Sequence, residues 1–354
     1  MYSFPGFNPA EIAAGEPLTA ALRSQLVQSV EKDSIPCSVW GGLSAEHQAD
    51  ERAATLAGTG GVFARWWRTR VPHAEIPWGS LWRVYIPLAQ WILRRKRSLP
   101  GKLFVFGVNG TIGQGKSVLA ESLVVLLNQL LRPEEGRALT RSLDDYYLPK
   151  VLREKPEFRA LGYDPGPGVS NRGPAGTHDV RRLCGDMNIL ERASEGTITE
   201  LPRFDKQADD RAAEPYPFFG RAAVFILDGW FVGCETSVDW RNLSAGLKRS
   251  AGKALPEYAP AFDRLDGLWA FEPPPIKQIL VDRLNQQAYL DRSSGRSGMS
   301  PDSIKRFVRY FYEDSWQPGL TSCFPAEERV SFWAKVDSSH EFISVRNGGR
   351  AQPA

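Results

Sequence analysis

The chain has 354 residues, 42% hydrophobic and 24% charged, which is the balance of a globular protein and not of a disordered one. Lys and Arg number 44 against 41 Asp and Glu, a net charge of +3, too small an excess to point to nucleic acid. Four cysteines, Cys37, Cys184, Cys234 and Cys323, lie far apart with no CxxC pair. That speaks against zinc or a disulfide framework and for a reducing, cytoplasmic setting. No secretory pattern opens the sequence and no apolar run is long enough to span a bilayer, so no membrane association is expected.

In chain order, residues 1–99 read as mostly helical. Ala45 to Leu56 has helical spacing, and Trp78 to Leu93 is rich in Trp and apolar residues, with Pro87 as the expected break. Arg94-Arg95-Lys96-Arg97 then suits the C-terminal end of a helix, with a membrane-surface patch as the alternative. From Lys102 to about Gly233, strand-like and helix-like stretches alternate. Leu103 to Phe106 is a short buried-strand run, and a helix follows from Lys116 to about Leu131. Ala138 to Leu143 is a weaker strand, a helix runs from His178 to Ala193, and Ala222 to Leu227 is a second buried strand. Strand and helix in alternation predict an α/β, doubly wound parallel sheet. Beyond Cys234, helices are expected at Ile276 to Leu290 and at Ser300 to Tyr312, where Ser300 suits the N-cap and Pro301 the first turn. Val330 to Val336 alternates as a strand, and Asp337 to His340 turns it into Phe342 to Val345. The organisation this implies is a helical region over 1–99, a catalytic domain over 100–346 and a frayed tail over 347–354.

The strongest chemical signal is GTIGQGKS, Gly110 to Ser117, which fits G-x-x-x-x-G-K-[ST] between an apolar strand and a helix. Successive backbone N–H groups and a helix N-terminus form a concave anion site there, and Gly110, Gly113 and Gly115 let the backbone close around phosphate. Thr111 and Gln114 complete the loop's nucleotide set. Lys116 is expected to reach the β- and γ-phosphates of ATP, and Ser117 to ligate Mg²⁺. Asp228 ends the run Val224-Phe225-Ile226-Leu227, the strand-then-acid pattern that places a carboxylate near the metal, with a strand-end cap as the bland alternative. Asp144-Asp145 closes the preceding candidate strand, where a carboxylate faces the cleft outside the sheet's carboxyl edge and can serve as general base. Arg203, Lys206 and Arg211 lie on a basic stretch of the kind that closes over a transferring phosphoryl group, or that is merely a solvated loop.

Taken together, GVNGTIGQGKS, SLDDYYLPK, RGPAGTHDV, LPRFDKQADDRA and FILDGWFVG, in this order, resemble the D-glycerate 3-kinases of the phosphoribulokinase, uridine kinase and pantothenate kinase superfamily. The segment GMSPDSIKRFVRYFYEDSWQPGL is similar to that family as well, and the resemblance spans roughly Trp78 to Val345. It implies a P-loop kinase that binds ATP with Mg²⁺. Asp144 would be its base, with Lys116, Arg203 and Lys206 as catalytic cations, and Arg211 and Arg283 as further nucleotide contacts. Asp145, Tyr147, Arg172, His178 and Asp179 would lie near a small hydroxy-acid acceptor. Asp228-Gly229-Trp230 stands where the family usually has Glu-Gly-Trp, and Phe204 stands where it has Tyr. The residue reading leaves two alternatives open: a kinase of another acceptor (a nucleoside, pantothenate or a sugar phosphate) and an ATP-binding switch. The oligomeric state is not legible.

Overall fold

The structure is a computed structural model that describes residues 7–350, apart from 73, 168, 207, 238, 244, 295–297 and 311–324. At its centre is a six-stranded sheet. Its strands are β1 (Phe104–Asn109), β2 (Arg137–Ser142), β7 (Ala222–Gly229), β8 (Gly267–Phe271), β9 (Phe332–Val336) and β10 (Phe342–Asn347), in the order β10-β9-β8-β1-β7-β2. All neighbours pair in parallel except β9 with β10. Two small antiparallel ribbons, β3 (Ile198–Leu201) with β6 (Tyr216–Phe219) and β4 (Phe204–Asp205) with β5 (Asp210–Arg211), lie outside it. The mostly parallel, doubly wound fold expected from the alternation is the fold observed.

The period of two in each strand divides the core into two layers. Phe104, Phe106, Val224, Ile226, Trp269 and Phe271 face one layer, while Val105, Phe225, Leu227, Leu268 and Ala270 face the other. The first layer is roofed by the helix Lys116–Leu130 and by the N-terminal helices Ala20–Glu31, Ala45–Arg70 and Ile86–Arg97, all sharing one apolar cluster. Leu119, Leu123, Leu126 and Leu127 are each at most 1% exposed in that cluster. At about 2 kcal/mol per buried leucine, that contact is integral to the sheet's stability. The second layer is covered by Val180–Arg192 and by the segments 247–262 and 276–309.

Several boundaries depart from the sequence reading. The helix expected over Ala45 to Leu56 continues to Arg70. Pro87 does not break the helix around it. A single π turn over Leu81–Tyr85, closed by Ile86 N–H on the Leu81 carbonyl, precedes a regular helix in which Pro87 occupies the first turn. The widened turn absorbs the donor that proline lacks. That turn also presents buried Arg83 to Asp33 at 2.7 Å and to the Phe342 carbonyl at 3.1 Å, tying the N-terminal region to β10. The basic cluster ends its helix as cations should, with Arg94 paired to Glu51 and Arg97 to Glu135. Strand β8 was not expected. The tail assigned to 347–354 begins in ordered structure: Asn347 closes β10, and Gly348, Gly349 and Arg350 donate to the carbonyls of Ser331, Glu327 and Val330. Residues 351–354, and the part of the C-terminal motif over 311–324, lie outside the described residues. Among the described residues no helix is long and apolar enough to cross a membrane.

Candidate active site

Residues 110–115 leave the carboxyl end of fully buried β1 and enter the helix Lys116–Leu130. Gly113 and Gly115 have φ of +85° and +82°, and a Cβ on Gly110 would come within 2.9 Å of the Phe271 ring. Glycine is therefore demanded twice by backbone sign and once by close approach. Gln114 buttresses the loop, since its Oε1 accepts the Thr111 N–H (2.6 Å) and its Nε2 donates to the Glu272 carbonyl (2.8 Å). Lys116 curls across the loop and donates to the Thr111 carbonyl at 2.7 Å. Burial pushes its ammonium down to about 8, against the opposing pull of Asp228 and Asp144.

Ser117 Oγ donates to Asp228 Oδ1 at 3.2 Å. Asp228 lies within β7 and is 4% exposed; burial raises its carboxyl to about 6, partly offset by Lys116. Among the described residues no cluster of three or more His, Cys, Asp or Glu could cage a metal. A hydroxyl and a carboxylate side by side, next to a phosphate cradle, fit Mg²⁺, which takes few protein oxygens and completes its shell with phosphate and water.

β2 delivers the acidic pair. Ser142 and Asp145 form a reciprocal capping box on the short turn Leu143–Tyr146. Asp145 accepts from Ser142 N–H (3.0 Å) and Phe204 N–H (3.2 Å) and pairs with Arg141 at 2.8 Å. Grouped with the acceptor residues on sequence, Asp145 is thus committed to holding the turn and the β4 strand. Asp144 is the member that meets the site. Lys206 Nζ stands 2.8 Å from its Oδ2. Burial would raise its carboxyl, but Lys206, the Tyr147 hydroxyl and Arg172 outweigh burial and hold it well below the usual range.

The ribbon β4–β5 carries Lys206 to that position. Arg203 lies elsewhere on it, lining a small polar cleft of about 190 Å³ with Arg182, Glu200 and Arg211. Arg211, expected beside the phosphates, instead donates to the Tyr147 carbonyl and to Asp179, both at 2.9 Å. Asp179 also caps the helix Val180–Arg192, so these two tie the β4–β5 ribbon to the RGPAGTHD segment. Arg172 pairs with Asp209 and lies over the rings of Phe204 (5.0 Å) and Tyr147 (5.9 Å). Arg283, on the helix Ile276–Ser294, packs over Phe307, and burial followed by the charge of Arg172 pushes its guanidinium down. His178 is 5% exposed, stacks on Tyr147 at 4.5 Å and meets the Tyr258 hydroxyl at 2.7 Å; burial lowers it to about 3, so it is neutral.

Besides Tyr258, sequence reasoning missed three residues here. Arg153, fully buried, bonds Leu148 O, Ser170, Asn171 and Asp209. Asp209, at φ +53°, gathers Ser170, Arg153 and Arg172. His340, at φ +66°, reaches from the β9–β10 turn to the Gly113 carbonyl at 2.5 Å. Asp209 and His340 are the two non-glycine residues with positive φ among those described, and both flank this site, where such strain concentrates.

No protein-family profile matches the chain. Over 239 residues it is 30% identical to the uncharacterized kinase mug58 of Schizosaccharomyces pombe, covering 62% of this chain and 82% of that one. Among solved structures it is similar to a D-glycerate 3-kinase from Cryptococcus neoformans var. grubii (TM-score 0.57, 21% identity, 74% of this chain and 98% of that one). It is equally similar to the YGR205w protein (TM-score 0.56, 21% identity, 74% and 95%). With a glycine-rich phosphate cradle, a strand-end acid beside its serine and a doubly wound sheet, the chain belongs to the same family of P-loop kinases as the fission-yeast protein.

Proposed function

We propose that this kinase transfers the γ-phosphoryl group of ATP to the 3-hydroxyl of D-glycerate, giving 3-phosphoglycerate and ADP. The observation that carries the reading is the placement of Asp144. It is an ionised carboxylate met by Lys206 of the β4–β5 ribbon at 2.8 Å, and its charge is felt both by Lys116 of the phosphate loop and by Arg172 and His178 of the RGPAGTHD element. That is the position a base needs between a nucleotide and an alcohol. The acceptor's carboxylate calls for a cation, which Arg172 supplies, with Arg283 beside it. The resemblance to D-glycerate 3-kinases, and the D-glycerate 3-kinase among the structural neighbours, support this acceptor over nucleosides or pantothenate.

In this mechanism the backbone amides of residues 110–117 and Lys116 bind the triphosphate tail, and Ser117 and Asp228 would hold Mg²⁺. Bound there, the ion supplies positive charge to the phosphate oxygens. The RGPAGTHD element aligns the acceptor hydroxyl with the γ-phosphorus. As the new O–P bond forms, the bridging β–γ bond breaks, ADP departs with its electron pair, and the hydroxyl proton passes to Asp144. Lys206, freed from Asp144 as the proton arrives, and Lys116 neutralise charge on the transferring group. The test is a panel of D-glycerate, L-glycerate, uridine, pantothenate and ribulose 5-phosphate with ATP and Mg²⁺, read by mass spectrometry. Phosphorylation of D-glycerate in preference to the others supports the reading, and selective phosphorylation of another member replaces it.

A further inference from the structure

The RGPAGTHD element is pinned with more care than a binding loop needs. Gly173 N–H bonds Thr177 Oγ1 (3.1 Å), Thr177 Oγ1 donates to the Pro174 carbonyl (2.8 Å), and Trp230 Nε1 donates to the Gly173 carbonyl (3.1 Å). Two tyrosines from outside the element hold its far end. Tyr163 donates to the Ala175 carbonyl at 2.7 Å, and Tyr258 accepts the Gly176 N–H at 3.0 Å. Gly176 has φ +95°, and a Cβ there would come within 2.4 Å of Tyr163 Oη, so only glycine directs that N–H at Tyr258.

The Tyr258 hydroxyl carries one hydrogen. Its oxygen already accepts from Gly176, its ring is fully buried against Phe231 and Phe262, and His178 Nδ1 lies 2.7 Å from it. Were Nδ1 protonated, two donors would converge on one oxygen and the phenolic hydrogen would be stranded in an apolar pocket. The hydroxyl therefore donates to Nδ1. In a neutral ring the remaining hydrogen must lie on Nε2, and Nε2 is a fully buried atom with no hydrogen-bond partner. An orphaned buried donor is costly, and where one persists beside a substrate cleft it is owed a ligand acceptor.

We infer that Tyr258 is a positioning residue for the phosphoryl acceptor: its hydroxyl fixes His178 as the Nε2–H tautomer, so that the ring presents a one-way N–H donor to an oxygen of a small hydroxy acid beside Asp144. This rests on the reading of His178 as an acceptor-side residue. The consequence is selectivity. A neutral donor orients a hydroxyl or carboxylate oxygen without adding a charge that would compete with Asp144 for the proton.

The experiment joins NMR with kinetics. Two-bond ¹H–¹⁵N spectra of the full chain, ¹⁵N-labelled at its four histidines and assigned with His178→Gln, report which His178 nitrogen carries hydrogen. The wild type is expected to show Nε2–H with Nδ1 bare, and Tyr258→Phe to lose that pure pattern. Tyr258→Phe is also expected to raise KM for the acceptor about tenfold while KM for ATP stays within about twofold. His178→Gln, which keeps an N–H near the Nε2 position, is expected to retain more acceptor affinity than His178→Ala. An Nδ1–H spectrum in the wild type overturns the inference whatever the acceptor, and needs no variant to fold. An unchanged tautomer and an unchanged acceptor KM in Tyr258→Phe overturn it too. If the acceptor is another alcohol but the tautomer and KM effects hold, the inference stands and the glycerate reading falls.

Discussion

Lys206→Met tests how the base is kept ready. The Lys206 ammonium lies 2.8 Å from Asp144, with side-chain exposures of 65% and 25%. Two unit charges at that separation interact by about 1.5 kcal/mol in water and about 6 kcal/mol at an effective dielectric constant near 20. Because Lys206 is mostly exposed, screening keeps the pair near the lower figure, about one pKa unit. The sign follows from the direction of the shift. Lys206 favours the ionised carboxylate, so removing it leaves burial less opposed and raises the Asp144 carboxyl. A base must be ionised to act, so the acidic limb of kcat/KM against pH should move up by about one unit, separately from any loss of plateau rate. Asp144 starts well below the usual carboxylate range, so the limb is followed on its acid side, by ADP release and by the Asp144 carboxyl ¹³C shift from pH 2 to 6 in both proteins. A lowered plateau with an unmoved limb would refute the assignment of Lys206 as the group that sets Asp144.

Three further outcomes test the packing of the site and of the N-terminal region. Gly176→Ala combines a φ of +95° with a Cβ 2.4 Å from Tyr163 Oη and should cost about 2 kcal/mol or more in a urea melt; a wild-type midpoint contradicts it. His178 is neutral by burial, lowered from 6.5 to about 3. The stability tied to it is intact above pH 6.5 and is lost as pH falls toward 3. Against His178→Gln, the wild type should therefore lose about 2 kcal/mol between pH 7 and pH 5, and parallel urea curves at the two pH values exclude this. Arg83→Ala leaves Asp33, whose side chain is 1% exposed, without its partner and should cost about 3 to 5 kcal/mol by thermal or urea unfolding; a loss under about 1 kcal/mol would show the pair to be dispensable.

The parts of the fold carried by local signals were legible. The phosphate loop follows a four-residue apolar run and opens a helix, and Ser300 with Pro301 announces the helix Pro301–Arg309, whose N-cap hydroxyl accepts the Ser303 N–H as anticipated. Strand β8 escaped notice because GLWAF, set between Asp266 and Glu272, is a wholly apolar run of five residues, too short for a period to separate strand from helix. The two-residue ribbon β4–β5 has no sequence signature, because its existence depends on Asp145 and Arg211 reaching residues 59 and 64 positions away. The same holds within the site. Asp144, Lys116, Ser117 and Asp228, which the structure brings near one another, could be singled out because strand ends and loops specify them. Asp209, Arg153 and Tyr258 were not, because their roles lie in partners dozens of positions distant. Arg211 and Asp145 were recognised as part of the neighbourhood but are spent on anchoring it, a distinction that only side-chain geometry makes.

The most direct measurement is the rate of ADP release by the purified chain with ATP and Mg²⁺, with and without D-glycerate, for the wild type and for Asp144→Asn. The account requires turnover that depends on the acid, a product carrying phosphate on the 3-oxygen, and a fall of about 10² to 10⁴ in the variant with nucleotide binding retained. ADP release at one rate whether or not an alcohol is offered, or an undiminished rate in Asp144→Asn, would contradict it.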